Sequence, residues 1–257
     1  TIPDDSTNSN DGTSSGMTQA NLVQSDLSFT SGYSPYALDF DGTNDYIDCG
    51  TSQLVDFNSS FTISAWVYIT STASGYDCVY AFKGASNAFA MFLNNGVGYS
   101  PISFGSANYP TDLTIKCATN VTINKWNNIV VVYNGNGIAT PSNYTFYIDN
   151  TSHTLTNSAG FSDNGNLNYI GNYGGNYFNG SISNISIWNT NLSATQVTEI
   201  YSEGVPQNLL NHSAVSSLVS WWQLGSNSSF NTNWTVLDEK GTNNGTSANM
   251  TEDDIVD

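Results

Sequence analysis

The sequence predicts an all-β fold, an antiparallel sandwich or barrel carrying one short helix near residues 193–203. Three observations lead there. Between about residues 36 and 188 the chain breaks into short runs in which apolar and polar residues alternate. Such a period of two places successive side chains on opposite faces of a strand. Clusters rich in Gly, Asn and Asp separate the runs at the spacing expected of many short strands. Only one segment carries helix start and stop signals.

Taken in order, residues 1–16 are polar and Gly/Asn-rich and read as a loop. Strands follow at 36–40, 46–49 and 61–69. In the third, Phe61, Ile63, Ala65, Val67 and Ile69 face one way, and Thr62, Ser64, Trp66 and Tyr68 the other. Further strands are expected at 78–82, 88–93, 113–117, 126–133, 144–148, 167–171 and 182–188. Turns fall at Asp41-Gly42, Asn94-Asn95-Gly96, Asn134-Gly135-Asn136-Gly137 and Tyr173-Gly174-Gly175. Ser193 with Gln196 three residues on forms a capping-box signal. Val197, Ile200 and Tyr201 supply one helix face, and Gly204 and Pro206 close it. A last strand, 218–224, carries Trp221 and Trp222.

The chain of 257 residues is long enough for a sizeable core. It has four Lys, no Arg and a net charge of −17. Without a basic footprint to neutralise phosphates, nucleic acid is not an expected partner. Attraction to an anionic membrane is disfavoured for the same reason, and no apolar run reaches the ~20 residues of a membrane helix. Cys49, Cys78 and Cys117 permit at most one disulfide and show no metal-binding spacing. Cys49, in an apolar-alternating stretch, suits a buried free thiol.

A family resemblance enters with the strands. Ala37-Leu38-Asp39-Phe40-Asp41-Gly42-Thr43-Asn44-Asp45-Tyr46-Ile47 resembles the opening hairpin of laminin-G-like domains in the concanavalin A-like lectin/glucanase superfamily. Phe61–Val67 is similar to their next strand, and Lys125–Tyr133 to their Trp-initiated apolar strand. Phe178–Asn189 followed by Leu192-Ser193 resembles their closing strand and helix start. The resemblance covers roughly residues 10–204 and implies a jelly-roll of two curved antiparallel sheets. Leu218–Gly225, Asn243–Thr246 and Met250 also resemble tandem modules in structural proteins of marine tailed phages. A shared sandwich does not fix the activity, because it hosts glycosidases, lectins and adhesive spacers alike.

The chemistry must come from particular residues. Glycosidases place two carboxylates across the scissile bond, and laminarinase-type relatives carry them as Glu-x-Asp-x-x-Glu on one strand. The only glutamates are Glu199, Glu203, Glu239 and Glu252, none in that pattern. Asp39 and Asp41 share a strand face, but Asp41-Gly42 reads as a turn. His153 and His212 lie in polar contexts that suit the surface better than catalysis. The chain is therefore expected to be non-catalytic. Asp41, Asn44 and Asp45 gather hard oxygen ligands suited to Ca²⁺, with Asn179 as a further donor if the closing strand ends nearby. The same residues also suffice to build a turn. For a glycan, the flat faces and amides of Tyr173, Asn176 and Tyr177, with loop residues Tyr99 and Tyr109, form a candidate contact. The competing reading makes Gly174-Gly175 a tight turn leading into a strand.

Twelve N-glycosylation sequons begin at Asn58, Asn120, Asn143, Asn150, Asn179, Asn184, Asn191, Asn211, Asn227, Asn233, Asn244 and Asn249. A chain so rich in Asn, Ser and Thr yields most of these by chance, and they matter only in a glycosylating host. Asn184, alternating with Ile185 and Ile187, is expected to face solvent.

The two ends repeat each other. Thr1-Ile2-Pro3-Asp4, Asn10–Ser14, Met17-Thr18 and Leu22-Val23 match Thr235–Asp238, Asn243–Ser247, Met250-Thr251 and Ile255-Val256, with one single-residue gap. The organisation expected is a lead-in segment, 1–30, packing on the sandwich, a jelly-roll at 31–204, and an extension at 205–257 whose end opens a next module or docks on a neighbouring sandwich. Its partners are expected to be glycans, neighbouring virion or surface subunits and further copies of the domain. The expected role is structural or adhesive, at a virion surface or outside the cell. A Ca²⁺-dependent lectin is the alternative, and a divergent glycoside hydrolase a weaker third.

Overall fold

The computed structural model describes residues 36–70, 76–83, 88–94, 102–105, 114–117, 119, 121–137, 140–153, 155–156, 167–225 and 227–256. The expected lead-in at 1–30, Tyr99, Tyr109, Asn120 and the Asn95-Gly96 turn lie outside these residues.

Two antiparallel sheets pack face to face. The first contains β1 (Ala37–Asp41), β3 (Phe61–Tyr68), β8 (Trp126–Tyr133), β9 (Tyr144–Ile148), β10 (Thr151–His153), β15 (Asn179–Trp188), β16 (Leu218–Trp222) and β20 (Ile255–Val256). Its order is β10-β9-β8-β3-β15-β1-β20, with β16 also paired to β15. The second contains β2 (Tyr46–Asp48), β4 (Tyr76–Lys83), β5 (Ala88–Asn94), β6 (Ile102–Gly105), β7 (Thr114–Cys117), β11 (Leu155–Thr156), β12 (Leu167–Ile170), β17 (Ser229–Asn231), β18 (Asn233–Val236) and β19 (Gly245–Ala248). Its order is β11-β7-β6-β5-β4-β12-β2-β19-β18-β17. A small hairpin of β13 (Asn172–Tyr173) and β14 (Asn176–Tyr177) stands apart. The jelly-roll sandwich expected from the resemblance is the fold observed.

The alternation in β3 explains the core. Phe61, Ile63, Ala65 and Val67 point between the sheets, where they meet Phe40, Ile47, Phe82, Phe89, Met91, Val131, Ile185 and Trp222. Edge-to-face rings link Phe57, Phe61, Phe82 and Phe89. The opposite face of the first sheet is also covered. Val130, Val132, Trp188 and Trp221 pack there against Val197 and Ile200 of the helix α1 (Ala194–Tyr201) and against Leu209, Ala214 and Leu218. Ser193 caps α1 as its sequence promised: its hydroxyl accepts from the Gln196 amide, and the Gln196 side chain accepts from the Ser193 amide.

Two expectations change. The stretch Asp41–Asp45 is not a hairpin, because β1 joins β15 in the first sheet while β2 joins β12 and β19 in the second. It is a bend that carries the chain across the sandwich. Gly42 lies in it at φ 74°, and an added Cβ would meet that of Asn179 at 2.8 Å. The stretch 205–257 is not an appendage. It supplies five strands, and its end, 235–256, closes this sandwich through β19 on β2 and β20 on β1. The three cysteines are free and buried, and burial raises their pKa values.

Candidate functional site

One rim of the sandwich brings together most of the residues expected to hold a metal. Asp41 pairs with Asn179 in the β1–β15 register. The Asp41 carboxylate accepts from the amides of Thr43 (2.7 Å) and Asn44 (3.2 Å). The Asp45 carboxylate accepts from the Asp41 amide at 3.0 Å. Asn249 ties the closing segment to the bend through the Asn44 carbonyl. The two carboxyls titrate in opposite directions. Burial raises Asp41, but the amides of Thr43, Asn44 and Asp45 outweigh it and leave the pKa lowered. Burial, reinforced by the charges of Asp41 and Asp254, pushes Asp45 up to about 6 against the pull of the Asp41 amide. The bend is thus a turn held by its own carboxylates. Among the described residues no group of three or more His, Cys, Asp or Glu side chains is placed to hold a metal ion.

The aromatic loop divides. Gly174 and Gly175, at φ 61° and 88°, make the two-residue turn of the β13–β14 hairpin. Asn176 donates to the Tyr173 carbonyl at 2.9 Å and so closes that turn. Tyr173 is not a free platform. Its ring is 7% exposed, sits among Cys78, Ala81, Ala90 and Phe92, and meets Phe92 edge-on at 6.0 Å. Asn176 and Tyr177 remain half-exposed.

A second aromatic site lies on the outer face of the first sheet. Asp39, Ser181, Tyr68 and Trp126 stand in one row across β1, β15, β3 and β8, with Ser183, Trp66 and Asn128 in the next row. The Tyr68 and Trp126 rings lie 5.7 Å apart, and Ser181 donates to Asp39 at 2.8 Å. A cleft of about 80 Å³ opens here, lined by Tyr36, Ala37, Trp66, Trp126, Ser183, Gly204 and Pro206. Trp66 is fixed beneath it by stacking on Tyr201, with planes 7° apart. The sequence signal was present in the alternation of β3 and β8, but it could not show that the polar-face aromatics of two strands distant in sequence share one row.

A larger cleft of about 430 Å³ is lined by Glu199, Ser202, Gln207, Asn208, Leu209, Asn211 and His212. It has no aromatic stacking face. Its ionisable groups are engaged in structure. Glu199 accepts from the Ser213 amide and hydroxyl, and the amide bond, opposed by slight burial, lowers its pKa. His212 is 6% exposed rather than at the surface. It stands against the Trp188 ring and is held by the Ala214 amide and the Gln196 carbonyl.

The sequons separate by burial. Asn58, Asn179, Asn191, Asn211, Asn227, Asn233, Asn244 and Asn249 are exposed, and Asn143 and Asn150 partly so. Asn184 is buried, contrary to the alternation. It sits at a register shift in β15 with φ 50°, where its side chain accepts from the Trp221 indole at 3.1 Å and donates to Ser183 at 2.8 Å.

Comparison with known proteins places this architecture. Among solved structures, a provisionally assigned carbohydrate binding protein from Bacteroides ovatus is similar with TM-score 0.60 and 17% identity. The match covers 87% of this chain and 60% of that one, so the chain spans about three-fifths of that protein's length. Domain 4 of an extracellular GH43 arabinanase from Geobacillus stearothermophilus gives TM-score 0.48 at 17% identity, over 64% and 75% of the two chains. Domains LG4-5 of the mouse laminin alpha1 chain give 0.43 at 13% identity, over 60% and 41%. No curated protein matches the sequence. The Laminin_G_3 family model matches residues 41–198, more than half of the chain, and the protein therefore belongs to that family, in the concanavalin A-like lectin/glucanases superfamily.

Proposed function

We propose that this chain is a non-catalytic, glycan-contacting adhesive module at an extracellular or virion surface. The observation that carries the reading is the outer-face cleft. Tyr36 and Trp126 line it, Trp66 is locked beneath, and Asp39 with Ser181, in the same row as Trp126, supplies acceptors and a hydroxyl. Flat apolar faces beside a few fixed polar groups are what a pyranose needs. The similarity to the Bacteroides ovatus protein, provisionally described as carbohydrate binding, supports the assignment of class. The Asp41–Asp45 pair does not resemble a glycosidase pair, because the Asp45 carboxylate accepts from the Asp41 amide within one bend instead of flanking a bond at roughly 5–10 Å. The phage-like flanks favour a virion fibre or decoration protein, in which neighbouring subunits would be the other partners. Asn176 and Tyr177 are a secondary contact at the opposite sheet.

Ca²⁺ belongs to the alternative, a lectin. Asp41 and Asp45, with Asn44 and Asn179, are the residues that would hold it, and the cation would supply a fixed positive charge at the rim. Glycan-array screening followed by calorimetry tests both readings. A Trp126→Ala change is expected to weaken the selected glycan at least tenfold, with Tyr177→Ala nearly neutral. Loss of binding in EDTA would favour the lectin. Absence of binding to every glycan would overturn the glycan-contacting assignment, and hydrolysis of a β-glucan would overturn the non-catalytic one.

A further inference from the structure

We propose that the outer-face cleft selects cationic amino sugars, glycans with a free protonated amino group, over neutral, N-acetylated or acidic ones; this rests on the glycan-contacting reading above and adds the ligand's charge to it. Tyr36, Trp66 and Trp126 border the cleft, and no basic side chain lines it. The Tyr68 ring stands beside that of Trp126, 5.7 Å away. Aromatic rings gathered around one small space attract a cation through their quadrupoles. A carboxylate stands at the edge. Asp39 follows the lining residue Ala37 by two positions in β1, so the two project from the same sheet face. Asp39 is half-buried and shares a row with Ser181, Tyr68 and Trp126. The Ser181 hydroxyl donates to its Oδ1 at 2.8 Å, which orients the carboxylate and leaves Oδ2 to accept from a ligand.

Charge and size both narrow the occupant. Among the described residues Asp39 has no basic partner, and Lys125, next to Trp126 in sequence, is paired with Asp149 at 2.7 Å. A glycan carboxylate would therefore meet Asp39 with nothing to answer it, on a chain of net charge −17 whose field draws cations and repels anions. The cleft holds about 80 Å³, far below the roughly 300–1,000 Å³ of pockets that enclose a whole ligand. It takes one substituent while the sugar ring stays at its mouth. An ammonium is compact, donates to Asp39 in a charge-assisted bond and gains from the surrounding rings. An N-acetyl group is bulkier and carries no charge, and a hydroxyl fits but gains neither term.

The test is calorimetry of the full chain with tetramers of glucosamine, N-acetylglucosamine, glucose and galacturonic acid, at one ionic strength and about pH 5.5, below the ordinary amine range. The glucosamine tetramer is expected to bind about tenfold more tightly than either neutral tetramer, the size of one cation–π contact with a charge-assisted bond, and the galacturonic acid tetramer most weakly. Asp39→Asn keeps an acceptor for Ser181 and removes the charge. It is expected to erase the preference for glucosamine. Asp48→Asn makes the same charge change at an exposed position on the other sheet and is expected to leave the preference intact. A preference that survives Asp39→Asn, or that Asp48→Asn lowers equally, comes from net charge and overturns the proposal. Tightest binding of a neutral or acidic tetramer overturns it too, and in each of these cases the glycan-contacting reading stands. No binding of the glucosamine tetramer overturns the proposal alone, and silence from every glycan on the array as well takes that reading with it.

Discussion

Asp45 and Asn184 show how single side chains set the terms of this fold. Burial and the charges of Asp41 and Asp254 raise the Asp45 pKa to about 6, from 3.8 in the unperturbed group. A carboxyl raised in the folded state favours folding while protonated. Its stabilising contribution is complete below about 3.8 and lost as pH rises through about 6. Asn at this position still accepts from the Asp41 amide but carries no charge. Asp45→Asn is therefore expected to match the unaltered chain near pH 4 and to exceed it at pH 7 by about 1 kcal/mol, after allowance for solvent screening. Urea unfolding from pH 4 to 7.5 measures this, and parallel profiles for the two proteins would refute it. At Asn184 the acceptor for a buried indole and a left-handed backbone coincide. Asn184→Ala removes the acceptor and strains the bulge, with an expected loss of about 2–4 kcal/mol. In a glycosylating host the folded chain is expected to carry no glycan at Asn184. Peptide mapping after glycosidase treatment would reveal one.

At the scale of elements, local signals were legible where the determinant lay within a few residues. The α1 capping box was readable because Ser193 and Gln196 are neighbours in sequence, and Ser193→Ala is expected to cost about 1 kcal/mol in thermal or chemical unfolding. The alternation of β3, β8 and β9 was readable because one face of each fills the core. The short strands β17 to β20 were not, since their alternation spans only two to four residues and their pairing partners lie far away in sequence. The bend at Asp41–Asp45 looked like a hairpin because turn chemistry does not reveal which sheet the next strand joins. The aromatic row of Tyr68 and Trp126 escaped notice for the same reason. Tyr173 was misleading in the opposite sense, because a loop aromatic found a partner in Phe92. The closing segment depends on Asp238. Burial raises its pKa, but the amides of Gly241, Trp221 and Asn243 and the Ser220 hydroxyl together leave it lowered. Its contribution is therefore present above the ordinary aspartate pKa and lost as pH falls through the lowered value. Asp238→Ala leaves several buried amides without an acceptor, and an expected loss of about 3–5 kcal/mol should appear as early exchange of β18 and β19. Unchanged protection there would show that the segment is held by Val236 and Trp234 alone.

The whole molecule carries −17 with only four basic residues, so compaction works against its own charge. Among the described residues one Lys–Asp pair, Lys125–Asp149, relieves this locally at 2.7 Å, and Lys125 is half exposed there. Screening should therefore stabilise the fold. Raising NaCl from about 10 mM to 0.5 M shrinks the Debye length from about 30 Å to under 5 Å, and a Tm increase of a few degrees is expected. This general effect must be separated from specific Ca²⁺ binding at the Asp41–Asp45 bend, and equal ionic strength does so. MgCl₂ screens as well as CaCl₂, but Mg²⁺ demands a rigid octahedron and gives up water reluctantly, whereas Ca²⁺ tolerates an irregular set of oxygens. If the bend holds Ca²⁺, CaCl₂ should raise Tm beyond equimolar MgCl₂. It should also bring the Asp45 carboxyl pKa, followed by carbon NMR, well below 6, and Asp45→Asn should abolish the thermal difference. If the two salts act alike and Asp45 still titrates near 6 in CaCl₂, the bend is a self-capped turn. The adhesive reading must then rest on the aromatic cleft without a cation.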